Sequence, residues 1–172
     1  MHLHCTQKLF KAFGFSKDRL DSSSPSSRLF GWHAHIVFIA RVKTVIAIND
    51  QTFFAVIMPG IKKARLENFA QEFSLALSSV LKSEGFGDSH RDVLLGERIA
   101  YLKAHNRQVL GIINQIVQEL CYYIEDNGGW EKTSVIELCK RINRTPWLAG
   151  TRNTIFPIDQ ITNELRDVKS LG

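Results

Sequence analysis

The chain has 172 residues, 44% of them hydrophobic, enough to bury a sizeable core and within the usual span of one domain. Its formal net charge of +5 is uneven: residues 1–65 hold ten Lys and Arg against three Asp and Glu, while the remainder holds twelve against fourteen. No stretch approaches the roughly 20 apolar residues of a membrane helix, the start lacks the apolar core of a signal peptide, and Cys5, Cys121 and Cys139 are too few and too widely spaced for a disulfide framework or a CxxC metal site.

These features lead us to expect a single cytoplasmic domain over 1–172, with three buried, reduced thiols and no membrane association. The basic N-terminal half favours an anionic partner, nucleic acid among them.

In chain order, His2-Leu3-His4 alternates as a short edge strand would, and Thr6 is placed to cap a small helix ending at Gly14. Asp21 to Ser27 is rich in hydroxyls and broken by Pro25, so a mobile loop is expected at about 21–28. Ile36-Val37-Phe38-Ile39, Val45-Ile46-Ala47-Ile48 and Phe53-Phe54-Ala55-Val56-Ile57 follow, separated by stretches too short for crossover helices. The reading is an antiparallel meander of three to four strands, closed by Pro59-Gly60. Its runs are nearly continuous in hydrophobicity, so both faces should be covered.

Helices must supply that cover. Leu66, Phe69, Phe73, Leu77, Val80 and Leu81 recur at helical spacing over about five turns, and a more polar helical region is expected over roughly 88–104. Val109, Ile113, Ile116, Leu120 and Ile124 mark a longer core helix that stops at Asn127-Gly128-Gly129. Ser134 and Glu137 have capping-box spacing before a short helix to about Ile142, and Pro157 suits the first turn of a last helix through Leu165. The fold class is therefore α+β, a small antiparallel meander covered by four to six helices.

Candidate site residues fall in three groups. His33 and His35 flank Ala34, and strand alternation puts both imidazoles on one face, where they could ligate a metal or act as bases. No third ligand is identifiable by spacing, a hydrogen-bonded structural role competes, and the reading is no metal and no cofactor. His2 and His4 repeat the pattern near a terminus, where fraying weakens a preorganised site. Lys103, His105, Asn106 and Arg107 place cation, imidazole and amide at a helix start that could take a phosphate or carboxylate, with plain capping by Asn106 as the competing account. Lys140 and Arg141 with Arg144, near Trp147, offer cations beside an aromatic ring, against the simpler account of a solvated helix end. The phosphate-loop, dinucleotide, nucleophile-elbow and zincin signatures are all absent.

Several segments taken together carry a resemblance: Cys5-Thr6 with Lys8-Leu9, Trp32-His33-Ala34, Asn49-Asp50 with Thr52, Pro59-Gly60, Asn106-Arg107 with Val109-Leu110-Gly111, and Asn143-Arg144 with Pro146. In these segments and their order the chain resembles the DUF6933 family of prokaryotic proteins over nearly its whole length. The resemblance implies no established activity. A further similarity to a segment attached to some plasmid-borne proteins implies mobile-element biology. The resemblance marks Trp32, His33, Asn49, Asp50, Asn106, Arg107, Asn143 and Arg144 as positions of interest, and at His35 it implies other polar residues in relatives.

Three functional expectations result. The first is a non-catalytic binding or accessory protein for an anionic partner, nucleic acid included, using basic residues of the sheet region and Asn106-Arg107. The second is a small hydrolase or nuclease using His33 with His105 and Arg107, which requires these groups within one cleft. The third is an interaction module, homodimeric or antitoxin-like, which requires a large exposed apolar patch.

Overall fold

The computed structural model describes residues 1–15, 20, 28–96, 99–149 and 153–169. The Ser-rich loop expected at about 21–28 lies outside the described residues except for Arg28, which opens a 3-10 turn, Arg28–Phe30.

The chain opens with β1 (His2–Cys5) and α1 (Gln7–Phe13), capped as its residues dictate. Thr6 Oγ1 accepts from the Leu9 N–H, and Gly14 ends the helix at φ 69°, a left-handed conformation that costs a glycine little. Next come β2 (Gly31–Ile39), β3 (Val42–Asn49) and β4 (Ala55–Met58). Ala40 and Arg41 join β2 to β3 with positive φ at both positions, the two-residue hairpin geometry that matches strand twist. The β3–β4 connection is longer, and Phe53 (φ 58°) turns out of the apolar run that had been assigned to a strand.

The helical stripe that follows is divided at Asn68 into α2 (Lys63–Glu67) and α3 (Phe69–Ser83). The expected helix over 88–104 is corrected: α4 (Asp88–Leu95) ends at Gly96, and Ala100–Lys103 forms strand β5. Alternating burial of Ala100 and Leu102 holds it to the sheet. Then come α5 (Arg107–Asp126), a 3-10 turn (Trp130–Lys132), α6 (Val135–Arg144), a hairpin of β6 (Trp147–Ala149) and β7 (Asn153–Ile155), and α7 (Pro157–Lys169).

The architecture is a mixture of α and β, but the main sheet is not an antiparallel meander. It has five strands in the order β4-β3-β2-β1-β5, and β1 runs parallel to both β2 and β5. Only β2, β3 and β4 form the expected meander. β1 is therefore an interior strand, not an edge, because α1 and the chain after it bring β2 alongside in the same direction. Among the described residues there are seven α-helices and a second, two-stranded sheet.

Both faces of the main sheet are covered, as the continuous apolar runs require. Trp32 packs edge-on against Phe73 of α3, and Phe13 of α1 meets Phe69 and Tyr101, which builds the cover on the Trp32 face. On the His33 face, α5 lies against β2 and β3 and buries Val109, Ile112, Ile113, Ile116, Leu120 and Ile124. A single contiguous apolar cluster joins both sides. Cys5 and Cys139 are buried, and burial raises each thiol pKa to about 12. Cys121 is instead exposed, because it sits one residue past Leu120 and so off the buried stripe of α5. No helix among the described residues is long and apolar enough to cross a membrane.

Candidate functional site

Parallel pairing decides the site. In register, Leu102, His4, His33, Ile48 and Ala55 form one transverse row across the sheet, so two histidines 29 positions apart in sequence become neighbours. Their rings stack with centroids 4.6 Å apart and an interplanar angle of 15°. The chain leaving β5 then brings His105 edge-on to His4 at 5.0 Å and to within 5.8 Å of His33. His4 and His33 are buried at 3% and 1% exposure, while His105 is exposed. One ligand nitrogen from each of the three lies within 4.8 Å of the others.

Asp50 completes the group from the β3–β4 loop. Its Oδ1 lies 2.5 Å from His33 Nδ1, and its Oδ2 lies 3.5 Å from His4 Nε2. A carboxylate only accepts, so the shared proton belongs to His33 Nδ1. His33 Nε2 then carries the lone pair, and it accepts from the Asn106 N–H at 3.3 Å, consistent with that tautomer. His4 Nδ1 is buried with no hydrogen-bond partner. Burial is the main influence on His4 and lowers its pKa to about 4. Asp50 and the Lys103 backbone oppose the shift, while His33 and His105 add to it. His4 is thus neutral at physiological pH.

Asn49 fixes where Asp50 points. Its carboxamide oxygen accepts from the N–H groups of Gln51 and Thr52 and from Thr52 Oγ1, and its Nδ2 donates to the Leu29 and Gly31 carbonyls. Asp50 N–H itself donates to the Gly31 carbonyl. Every hydrogen-bonding position of Asn49 goes to the backbone or Thr52, which rigidifies the loop and makes Asn49 a positioning residue. At the other rim, Asn106 caps α5 by accepting from the Gln108 and Val109 N–H groups, as its residue type suggested. Arg107 begins that helix exposed, and Lys103 is exposed at the end of β5.

The remaining sequence candidates lie elsewhere or serve the fold. His35 shares the His33 face, but its Nδ1 pairs with Thr6 Oγ1 at 3.0 Å and it is not one of the clustered imidazoles. Burial, with Lys8 nearby, lowers its pKa. Trp32 is fully enclosed against Phe73. Asn143 takes the N–H and carbonyl of Ala55 on its carboxamide at 2.7 and 3.0 Å, pairing the outer edge of β4 as a neighbouring strand would. Arg141 pairs with Glu119, and Arg144 forms a two-pronged pair with Glu84.

His4 is the participant that the sequence reading discounted. The fraying argument fails because β1 is flanked by strands on both sides. The signal was the alternation of residue type in His2-Leu3-His4-Cys5, which sets Leu3 and Cys5 on one face of the strand and the imidazoles on the other, with all of Leu3, His4 and Cys5 buried.

A protein-family model described as "Domain of unknown function (DUF6933)" matches residues 2–160. No curated protein matches the chain.

Proposed function

From the premise that this chain belongs to the DUF6933 family, we propose that the domain is a small hydrolase, with His4, His33, His105 and Asp50 as its centre and a phosphate-bearing substrate. The observation that carries this reading is the convergence of three imidazoles, from β1, β2 and the loop after β5, over one buried carboxylate. Hydrolysis of a phosphodiester joins the oxygen of water to phosphorus, breaks one ester P–O bond, and moves one proton from the water to the departing oxygen. Imidazole suits that traffic, since it exchanges protons near neutral pH. The centroids of His33 and His105 are 5.8 Å apart, within the reach that this chemistry requires.

Phosphate is favoured by what surrounds the centre. The first turn of α5 holds no acidic residue, the helix dipole at its start attracts an anion although Asn106 already takes the Gln108 and Val109 N–H groups, and Arg107 and Lys103 are exposed beside it. The test is turnover of bis(p-nitrophenyl) phosphate and of a single-stranded RNA oligonucleotide. His105→Ala should abolish it, and Arg107→Ala should raise KM more than it lowers kcat. Absence of turnover on both substrates would remove the reading. The exposed thiol of Cys121 suits a reducing compartment, which favours the cytoplasm.

A separate observation favours a second reading, the binding of single-stranded nucleic acid. Lys8, Lys11 and Lys43 line a groove of about 590 Å³ with Ile36, Val37 and Phe38, and no carboxylate lines it among the described residues. Phe38 is 65% exposed, with Lys43 Nζ 5.7 Å from its ring centre. Aromatic faces for bases beside lysines for phosphates are what strand binding uses. Such a surface could hold the substrate of the first reading or act alone.

A further inference from the structure

The histidine centre has the chemistry of a metal site more than that of an acid–base dyad. Two imidazoles that only shuttle protons need no third, yet His4, His33 and His105 each bring a ligand nitrogen to one region. All three are neutral-nitrogen donors and no thiolate joins them, a set that suits zinc among divalent ions. In a tetrahedral zinc site with Zn–N bonds of about 2.0–2.1 Å, two ligand nitrogens stand about 3.4 Å apart. The three ligand atoms now lie within 4.8 Å of one another. Closing that gap takes an inward shift of His105, exposed in the loop that links β5 to α5, and a turn of the stacked His4 ring so that its in-plane lone pair meets that of His33.

Two further observations point to a ligand. Metal-bound histidines usually donate their second ring N–H to a carboxylate, which orients the ring and fixes the tautomer. Asp50 does this for His33, leaving Nε2 as the nitrogen with a lone pair. That nitrogen meets only a long contact from the Asn106 N–H, which an ion would displace. On His4, Nδ1 is a buried polar atom without a partner, in an interior where such atoms are normally satisfied.

We propose that His4, His33 and His105 form a mononuclear site for a divalent transition-metal ion, zinc by ligand chemistry, with Asp50 holding His33 and a fourth position open on the His105 side. The ion takes His4 and His105 as the partners of His33, in place of the sequence neighbour His35. Three protein ligands with an open fourth position is the arrangement of catalytic zinc, where bound water ionises near neutral pH. The inference rests on the same cluster as the hydrolytic reading and moves the activation of water from imidazole to the bound ion.

The experiment uses tag-free full-length protein, stripped with a chelator and titrated with Zn²⁺ by calorimetry and with Co²⁺ by visible absorption. One equivalent should bind with a Kd below about 10 μM, and cobalt should give the intense bands of a tetrahedral site. His105→Ala, at an exposed position that leaves the core intact, should weaken binding at least about tenfold, and Asp50→Asn should do so by about 10- to 100-fold. His35→Ala should bind like the parent. Absence of binding at millimolar ion, or binding that His105→Ala leaves unchanged, overturns the proposal. Stoichiometric binding without phosphodiester turnover sustains the metal site and removes the hydrolytic reading. Turnover that survives chelation, in protein that takes up neither ion, does the reverse.

Discussion

Asn143→Ala separates a ligand-binding residue from a structural one, and its size can be worked from the coordinates. The carboxamide is fully buried and makes two hydrogen bonds to one residue: Ala55 N–H donates to Oδ1 at 2.7 Å, and Nδ2 donates to the Ala55 carbonyl at 3.0 Å. β4 is the outer strand of the sheet, so beyond Asn143 no further strand waits to take over. Truncation to alanine leaves two backbone groups of a residue with no exposure unsatisfied. Each costs about 1–3 kcal/mol, and a water entering the space left by the carboxamide brings the pair to about 2–4 kcal/mol. For a chain of this length that is a fall in Tm of about 5–15 °C. The assay is thermal and urea unfolding followed by circular dichroism, with zinc titration of the variant at a temperature where it stays folded. Metal affinity should match the parent, because Asn143 touches β4 and none of the histidines. A stability change within about 0.5 kcal/mol, or a lost ion with stability intact, would refute the assignment of Asn143 to the sheet edge.

Other consequences follow from the same accounting. Arg144→Ala should destabilise by about 1–3 kcal/mol, since it strands the Glu84 carboxylate, whose side chain is only 2% exposed, whereas Arg141→Ala, which breaks a solvent-facing pair with Glu119, should stay within about 0.5 kcal/mol; urea midpoints report both. A thiol reagent should find one fast-reacting cysteine in the native protein, Cys121, and two more, Cys5 and Cys139, only on unfolding; three fast thiols would contradict the packing of β1 and α6. If single-stranded nucleic acid occupies the groove beside the β2–β3 hairpin, Phe38→Ala should weaken binding about 5- to 100-fold through one lost stack, and Lys43→Ala should reduce the slope of log affinity against log salt by about 0.7. Fluorescence anisotropy of a labelled oligonucleotide at several salt concentrations measures both.

Local chemistry was legible in the residues. Thr6, Asn106 and Ser134 cap the helices they were read to cap, and Gly14 ends α1. The apolar stripe of α5 buries the positions its period marks, and Pro157 opens α7. The β2–β3–β4 meander follows from separators too short to cross over. Each of these is decided within a few residues by φ preferences, hydrogen-bond reach or helical period. Short-range signals also misled. Four residues of β5 were absorbed into a helical reading because neither Ala100 nor Leu102 declares a period alone, and Phe53 was assigned to a strand although its backbone turns.

The centre itself was half visible. His33, His105, Asp50 and Asn106 are all candidates in the sequence, but the metal pairing it suggests for His33 is His35, through strand alternation, and the hydrolase reading joins His33 to His105 and Arg107 without His4. The residue that joins His33 is His4, through a parallel register spanning 29 positions, and the carboxylate that orients them arrives on a loop built by Asn49. Sequence by itself determined most of the helices, the β2–β3–β4 strands and their apolar faces, because those choices are settled by neighbours along the chain, but not β5 or the β6–β7 hairpin. Tertiary structure alone decided that β1 lies inside the sheet and that three imidazoles meet over Asp50. Strand order and register are set by the packing of α1, α3 and α5 on the two faces of the sheet, a global balance that no short window of residues contains.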